Sequence, residues 1–325
     1  MSELRWNPIC REWTVTATHR MDRTLLPPRE YCPLCPTKKG GFTTEIPREN
    51  FEIVVFENRF PSFKIPPPKI EAESIDLHPV KESRGVCEVV VYSPEHHGSM
   101  ATLSHEQIVN LIRVWRDRYE ELGRKKEIEY VLIFENKGEE VGVTLHHPHG
   151  QIYAFPYLPP IPERELSSAR DYRKKNDGKC LFCDVLRIEE SEGSRVVASN
   201  KDFTAFLPFY ARYPFEVHIY SRHHRSSLSD LTAEEDQNLA SILQKVVRGY
   251  DALFETSFPY LMILHQDPVK GKRGLNHLHF EFLPPVRDMG KLKFLAGCEQ
   301  GAGTFINDSI PEEKAMQLRR KIPQN

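Results

Sequence analysis

The chain lacks the features that would place it at once in several large classes. No apolar run approaches the roughly 20 residues that a bilayer span requires; stretches such as Val89-Val90-Val91-Tyr92 and Tyr130 to Phe134 are far shorter. The opening Met1-Ser-Glu-Leu-Arg5 has neither the basic nor the apolar region of an export signal, so a cytoplasmic protein is the expectation. Net charge is nearly absent, −2 at pH 7, which removes the electrostatic ground for expecting a nucleic-acid partner. Cysteine is scarce, and the seven present are not expected to form disulfides in such a chain. Four of them fall in two C-x-x-C pairs, Cys32/Cys35 and Cys180/Cys183, which directs attention to metal or redox chemistry. Disorder is not expected either. Prolines cluster at Pro61 to Pro68 and Pro156 to Pro162, but aromatic and aliphatic residues surround them, so these segments read as rigid extended connections.

What is present is a repeat. Ser104-His-Glu-Gln107 reads as a capping box opening a helix with apolar residues Ile108, Leu111, Ile112, Trp115, Tyr119 and Leu122. Thr232-Ala-Glu-Glu235 opens another with Leu239, Ile242, Leu243, Val246, Tyr250 and Leu253, the same internal spacing displaced by 131 positions. A strand-like run precedes each helix: Val89-Val-Val-Tyr-Ser93 then His96, and Val217-His-Ile-Tyr-Ser221 then His224. A second strand candidate follows each, Tyr130 to Phe134 and Tyr260 to Leu264, and then an H-x-H pair, His147/His149 and His277/His279. Helical spacing alone repeats in many proteins. Four unrelated markers at nearly constant offset do not. The reading is an α+β protein of two similar halves, each a mainly antiparallel sheet with a long helix packed on it, related by an internal pseudo-twofold. The halves are placed at residues 1–165 and 166–325.

The repeat carries a ligand set twice. Cys32, Cys35, His96 and His147 offer two thiolates and two imidazoles, suited to tetrahedral zinc, and Cys180, Cys183, His224 and His277 repeat it. The bland alternative is that the cysteines are buried thiols and His96 a surface residue beside His97. A redox pair would need a βαβ context that neither C-x-x-C shows, and a zinc finger would need its histidines much nearer the cysteines. About two structural zinc ions per chain are expected, with no organic cofactor.

Alternation along a strand places His147, His149 and Gln151 on one side. A neutral imidazole can attack an activated phosphorus, provided one ring nitrogen is free and the other is oriented; Gln151 can donate to the phosphoryl oxygens, and Gly150 leaves room for backbone to approach a phosphate. The alternative for any one histidine is a packed or surface role, and His146, without a counterpart in the repeat, reads as a bystander.

His147-Pro-His-Gly-Gln151, with Phe134-Glu-Asn-Lys-Gly138, Ser93-Pro-Glu-His96 and Asn276-His-Leu-His-Phe280 followed by Pro284-Pro285, resembles the galactose-1-phosphate uridylyltransferase family. That family is a branch of the histidine-triad superfamily with the fold duplicated in one chain, so the resemblance implies two histidine-triad-like (HIT-like) halves. It also implies a ping-pong exchange of a uridylyl group between UDP-glucose and galactose 1-phosphate, in galactose metabolism. Carried over, His149 is the nucleophile and Gln151 steadies the uridylylated state. Arg20 and Arg23 match a basic pair near the phosphates, their alternative being solvated surface charges. Asn58, Phe60, Phe134 and Asn136 match uridine contacts, and Thr144 stands where the family often has a phosphate-binding serine. Lys293, Phe294 and Glu299 match a C-terminal segment lent across a dimer interface to the sugar site, so a homodimer is implied.

Two departures bear on this. Better-known bacterial members bind a second metal with one Glu and three His, here Glu165, His265, His277 and His279; the complete Cys180/Cys183 pair favours a second zinc with His224 and His277, leaving Glu165, His265 and His279 as a polar cluster. Where a hexose-contacting glutamine would fall, the chain reads Gly303-Thr-Phe-Ile-Asn307, which resembles members such as plant ADP-glucose phosphorylase. An adenylyl transfer through the same histidine is therefore the nearest alternative, and a non-catalytic zinc-stabilised nucleotide-binding protein the more distant one.

Overall fold

In the computed structural model, residues 2–271 and 273–323 are described. The first half carries strands β1 (Ser2–Asn7), β2 (Glu12–Ala17), β3 (Val54–Glu57), β4 (Val80–Glu82), β5 (Val86–Val91), β6 (Tyr130–Lys137) and β7 (His149–Phe155). Between β5 and β6 lies helix α1 (His105–Gly123). Helices α2 (Pro160–Lys175) and α3 (Leu181–Glu192) lead into the second half. There follow β8 (Val196–Ser199), β9 (Phe203–Phe206), β10 (Val217–Ser221), helix α4 (Ala233–Leu253), β11 (Tyr260–His265) and β12 (His279–Leu283). A short hairpin, β13 (Val286–Asp288) and β14 (Lys291–Leu292), precedes α5 (Pro311–Arg319).

Both expected capping boxes form. The Ser104 side chain accepts from the Gln107 amide and that of Thr232 from the Glu235 amide, satisfying N–H groups that the first helical turn leaves unpaired. The six residues expected on the apolar face of α1 are buried, and so are five of the six on α4; Leu253, in its last turn, is partly exposed. The prolines before residue 163 were expected to be extended. Pro160 and Pro162 instead sit in the first turn of α2, where a missing N–H costs nothing and the fixed φ already suits a helix.

Nine strands form one sheet in the order β3-β5-β7-β6-β11-β12-β10-β9-β8, antiparallel throughout. The order of β5-β7-β6 is mirrored by β11-β12-β10, so the pseudo-twofold passes between β6 and β11, which pair Ile133 with Leu264 and Asn136 with Leu261. Alternation then divides the sheet into two faces. Val131, Ile133, Ile152, Ala154, Val217, Ile219, Phe280 and Phe282 point to one face and pack with α1 and α4 into the main core. The other face is dressed differently in each half. Over the second half α2 and α3 pack Ala169, Phe182 and Leu186 against Phe206 and Tyr220. Over the first, the covering chain is irregular and packs Cys32, Leu34 and Ile46 on Val89 and Val91, and Leu4 and Phe63 on Cys87, with β1, β2 and β4 as a small separate sheet. Among the described residues no helix is long and apolar enough to cross a membrane.

Candidate active site and metal centres

The irregular covering of the first half leaves a cavity of about 270 Å³ on the sheet face opposite the main core. Arg20, Arg23, Asn58, Phe60, Phe134, Asn136, Thr144, His149 and Gln151, read from the sequence as site residues, all line it. Phe134 and Asn136 come from β6, His149 and Gln151 from β7, and Thr144 from the loop between; Arg20 comes from a 3₁₀ turn (Thr18–Asp22) after β2. The Thr144 carbonyl accepts from the Leu26 amide, which ties this arginine-bearing segment to the rim.

His149 is the first residue of β7, and its Nδ1 lies 2.7 Å from the carbonyl of His147. A carbonyl only accepts, so Nδ1 carries the hydrogen and Nε2 keeps a free lone pair. Burial lowers the His149 pKa, against a smaller opposing effect of that hydrogen bond, which keeps the ring neutral. Gly150 has a packing role of its own. It points away from the cavity, and a Cβ there would come within 2.4 Å of the Tyr92 hydroxyl, which is itself hydrogen-bonded at 2.9 Å to buried Glu135. The glycine makes room for a buried tyrosine. His147 precedes the strand, in place of sharing its face; its own side chain is buried and turned to the cysteines.

Both cysteine–histidine sets assemble. In each, four ligand atoms lie within 4.8 Å of one another. Cys35 Sγ is 3.3 Å from His96 Nδ1 and 3.5 Å from His147 Nδ1; Cys183 Sγ is 3.5 Å from His224 Nδ1 and 3.4 Å from His277 Nδ1. A tetrahedral zinc with bonds of about 2.3 Å to sulfur and 2.05 Å to nitrogen sets sulfur and nitrogen roughly 3.6 Å apart, so both sets have the right size. The duplication reaches the outer partners. His147 Nε2 donates to the Ser93 carbonyl at 2.8 Å and His277 Nε2 to the Ser221 carbonyl at 2.7 Å, which leaves the Nδ1 lone pair of each turned to the cysteines and available to a metal. Burial lowers His147 to about 4, so its ring is neutral at ordinary pH, the form that can hold a metal. Cys32 and Cys35 meet in a tight turn, the Cys35 amide on the Cys32 carbonyl, whereas Cys180 stands at the N-cap position of α3 and Cys183 sits in its first turn. Hydrogen bonding from Cys183 holds the Cys180 thiol low, and Cys183 is pushed up in turn, as two sulfurs sharing one proton require.

The counterpart of His149 in the second half is sealed. His279 Nδ1 lies 2.7 Å from the His277 carbonyl, copying His149, but His279 is 1 % exposed, stacked on His265 with centroids 4.8 Å apart and covered by Phe182 at 5.3 Å. Its surroundings are an ion network. Glu165 is 3.0 Å from His265 Nδ1, and Glu281, the counterpart of Gln151, is 2.6 Å from Arg212, which also pairs with Glu216 at 3.1 Å. Glu165, His265, His279 and Glu281 also lie close enough together to hold a cation, while His277 faces the cysteines. Burial works against charge on His265, but Glu165, with its hydrogen bond, and Glu281 outweigh it and hold the imidazole up to about 9. A histidine raised above its ordinary value of about 6.5 stabilises the fold fully below that pH and loses the contribution as pH rises through about 9. Glu165, held below its ordinary value, keeps its side of the pair down to mildly acidic pH. His265→Gln is therefore expected to lose on the order of 3 kcal/mol, or about 5 °C in Tm, at pH 6, with the gap to the parent closing above pH 9. Thermal melts at the two pH values check this; a gap independent of pH rejects the pairing as its cause.

Lys293, Phe294 and Glu299 do not line the cavity of their own chain. Lys293 Nζ is 3.2 Å from Glu299 and donates to the Ile306 carbonyl at 2.5 Å, while Phe294 is 72 % exposed. His146 lies at the surface, 3.3 Å from Glu139. Sequence reading missed Tyr153, Leu34 and Val89 of the cavity wall. Tyr153 was within reach of it, since His149, Gln151 and Tyr153 alternate on one strand face; Leu34 and Val89 look like ordinary core residues and carry no such signal.

Comparison with known proteins accounts for both halves. Residues 1–159 match the family described as galactose-1-phosphate uridyl transferase, N-terminal domain, and residues 165–324 its C-terminal domain. The galactose-1-phosphate uridylyltransferase of Thermotoga maritima is 42% identical over 321 residues, covering 98% of each chain. A solved uridylyltransferase structure superposes with a TM-score of 0.86 at 35% identity, covering 98% of each chain. An ADP-glucose phosphorylase from Arabidopsis thaliana, solved with bound ADP-glucose, shares the fold over 100% of both chains, with a TM-score of 0.75 at 22% identity.

Proposed function

The chain belongs to the galactose-1-phosphate uridylyltransferase family, and from that premise we propose that it moves a uridylyl group between UDP-glucose and galactose 1-phosphate through a covalent uridylyl-histidine at His149. The observation that carries the assignment to His149 is its fixed tautomer at the wall of the cavity, set against a twin that is oriented alike but buried. Nε2 attacks the phosphorus next to the uridine. The P–N bond forms, the P–O bond to glucose 1-phosphate breaks, and the sugar phosphate leaves. No general acid is required, because a phosphate is already a good leaving group. The positive charge that develops on the ring is shared through Nδ1–H with the His147 carbonyl. Gln151 supplies a neutral donor to the phosphoryl oxygens; Arg20 and Arg23 supply charge, and Thr144 a hydroxyl. Asn58, Phe60, Phe134 and Asn136 hold the uridine. Galactose 1-phosphate then attacks the same phosphorus, the P–N bond breaks and the neutral imidazole returns.

Zinc in both cysteine–histidine sets holds distant segments together and does not enter the reaction; Glu165, His265, His279 and Glu281 form an ion network, in which Arg212 already neutralises Glu281. The protein is cytoplasmic and a homodimer, in which exposed Phe294, with Lys293 and Glu299, comes from the partner to the sugar end of the cavity. Light scattering at the mass of two chains is the expected result for the last point.

The test is release of glucose 1-phosphate from UDP-glucose and from ADP-glucose, each with galactose 1-phosphate or inorganic phosphate as acceptor. UDP-glucose with galactose 1-phosphate is expected to be fastest by at least about 100-fold, since a site built to hydrogen-bond one base leaves polar groups unpaired with another. Release confined to ADP-glucose with phosphate would replace this reading by the adenylyl-transferring one.

A further inference from the structure

We propose that Tyr153 is a positioning residue that aims Arg20 at the phosphates of the nucleotide; this rests on the function proposed above. The Arg20 guanidinium has five N–H donors in one plane. Nη1 spends its two on the protein, one on the Phe60 carbonyl at 2.9 Å and one on the Tyr153 hydroxyl at 3.2 Å. The Nε–Nη2 edge has no protein partner among the described residues, and Arg20 lines the cavity that holds His149. That edge is the side of the fork that binds a phosphate through two parallel hydrogen bonds, and two anchors on the opposite corner fix its plane. With one anchor the plane swings about the last side-chain torsion. With two it does not.

The second anchor comes from the reactive strand itself. Tyr153 stands on β7 four residues after His149 and on the same face, so the strand that sets the nucleophile also sets the arginine. The Tyr153 ring is held in turn. It packs edge-on against Phe134 with centroids 5.1 Å apart and against Phe63 at 6.4 Å. Phe134 is a proposed wall of the uridine site, so one tyrosine links the base end of the cavity to its phosphate end. The 3₁₀ turn carrying Arg20 has its own ties, the His19 ring on the Pro61 carbonyl at 2.9 Å and Arg23 Nε on the Arg20 carbonyl at 3.0 Å, which places the backbone but not the guanidinium. Tyr153→Phe keeps the ring and its packing and removes only the hydroxyl.

Calorimetric binding of UDP and of uridine to the full chain, in the parent, Tyr153→Phe, Arg20→Ala and the double variant, tests the assignment. Tyr153→Phe is expected to weaken UDP about tenfold and to leave uridine within about twofold, because only the phosphate end is affected. In the Arg20→Ala background it is expected to have no further effect on UDP. An equal loss for UDP and uridine would mean that the tyrosine serves the base by packing and would overturn the proposal. So would an undiminished loss in the Arg20→Ala background, or no loss at all. If the parent binds ADP in place of UDP, the choice of base in the proposed function fails instead, and the same comparison is read with ADP against adenosine. A melting temperature within about 2 °C of the parent shows that Tyr153→Phe has kept its core.

Discussion

Incubated with UDP-glucose alone, the parent protein is expected to gain the mass of one uridylyl group, His149→Ala to gain none, and His279→Ala to gain it as the parent does. The two histidines make this comparison unusually well matched. Each follows by two positions a histidine that faces a cysteine pair, each directs Nδ1 at that histidine's carbonyl at 2.7 Å, and each begins a strand of the same sheet. They differ in what faces Nε2. His149 lines a cavity of about 270 Å³, whereas His279 lies beneath Phe182 and Tyr220, among groups of an ion network. Removal of a covalent nucleophile is expected to slow turnover by at least about 10⁴-fold. An adduct that survives in His149→Ala, or one lost in His279→Ala with folding intact, would sink the assignment.

Zinc is expected at close to two ions per chain by elemental analysis, and breaking either set is expected to lower Tm by on the order of 10 °C, since the binding energy of a structural zinc is folding energy. The first set joins segments at residues 32–35, 96 and 147, the second segments at 180–183, 224 and 277. Their effects on chemistry should differ. His147 presents the carbonyl that orients His149, so Cys35→Ser is expected to slow adduct formation about 10- to 100-fold even well below its melting point. His277 does the same for buried His279, so Cys183→Ser is expected to keep the rate while losing the stability. One zinc in the parent, or equal effects of the two variants on adduct formation, would reject this division of roles.

The parts legible in the sequence are those governed by local rules. The period of Ile108 to Leu122 and of Leu239 to Tyr250, each opened by a capping box, marks helices buried on one side. The ligand sets were legible because they recur, and the cavity residues because the resemblance supplied them. What stayed hidden depends on neighbours distant in sequence. Nothing near Gly150 announces the Tyr92 hydroxyl beneath it, and nothing near Cys180 says that its pair will sit on a helix when Cys32 sits in a turn. Helix α2 was masked by prolines that mark a helix start as readily as an extended link. The pairing of β6 with β11 left no local trace at all.

That pairing joins residues between 123 and 131 positions apart, across the middle of the sheet. A ribosome delivering roughly 5–20 residues each second therefore exposes the apolar edge of β6 for several seconds or longer before β11 exists to cover it. During that interval the nascent first half is a sheet with an open, eight-residue edge, the kind of template on which chains pair with one another. An N-terminal fragment ending before β11 is accordingly a poor candidate for a soluble domain, and yield of the whole protein should depend on how well that edge is shielded during synthesis.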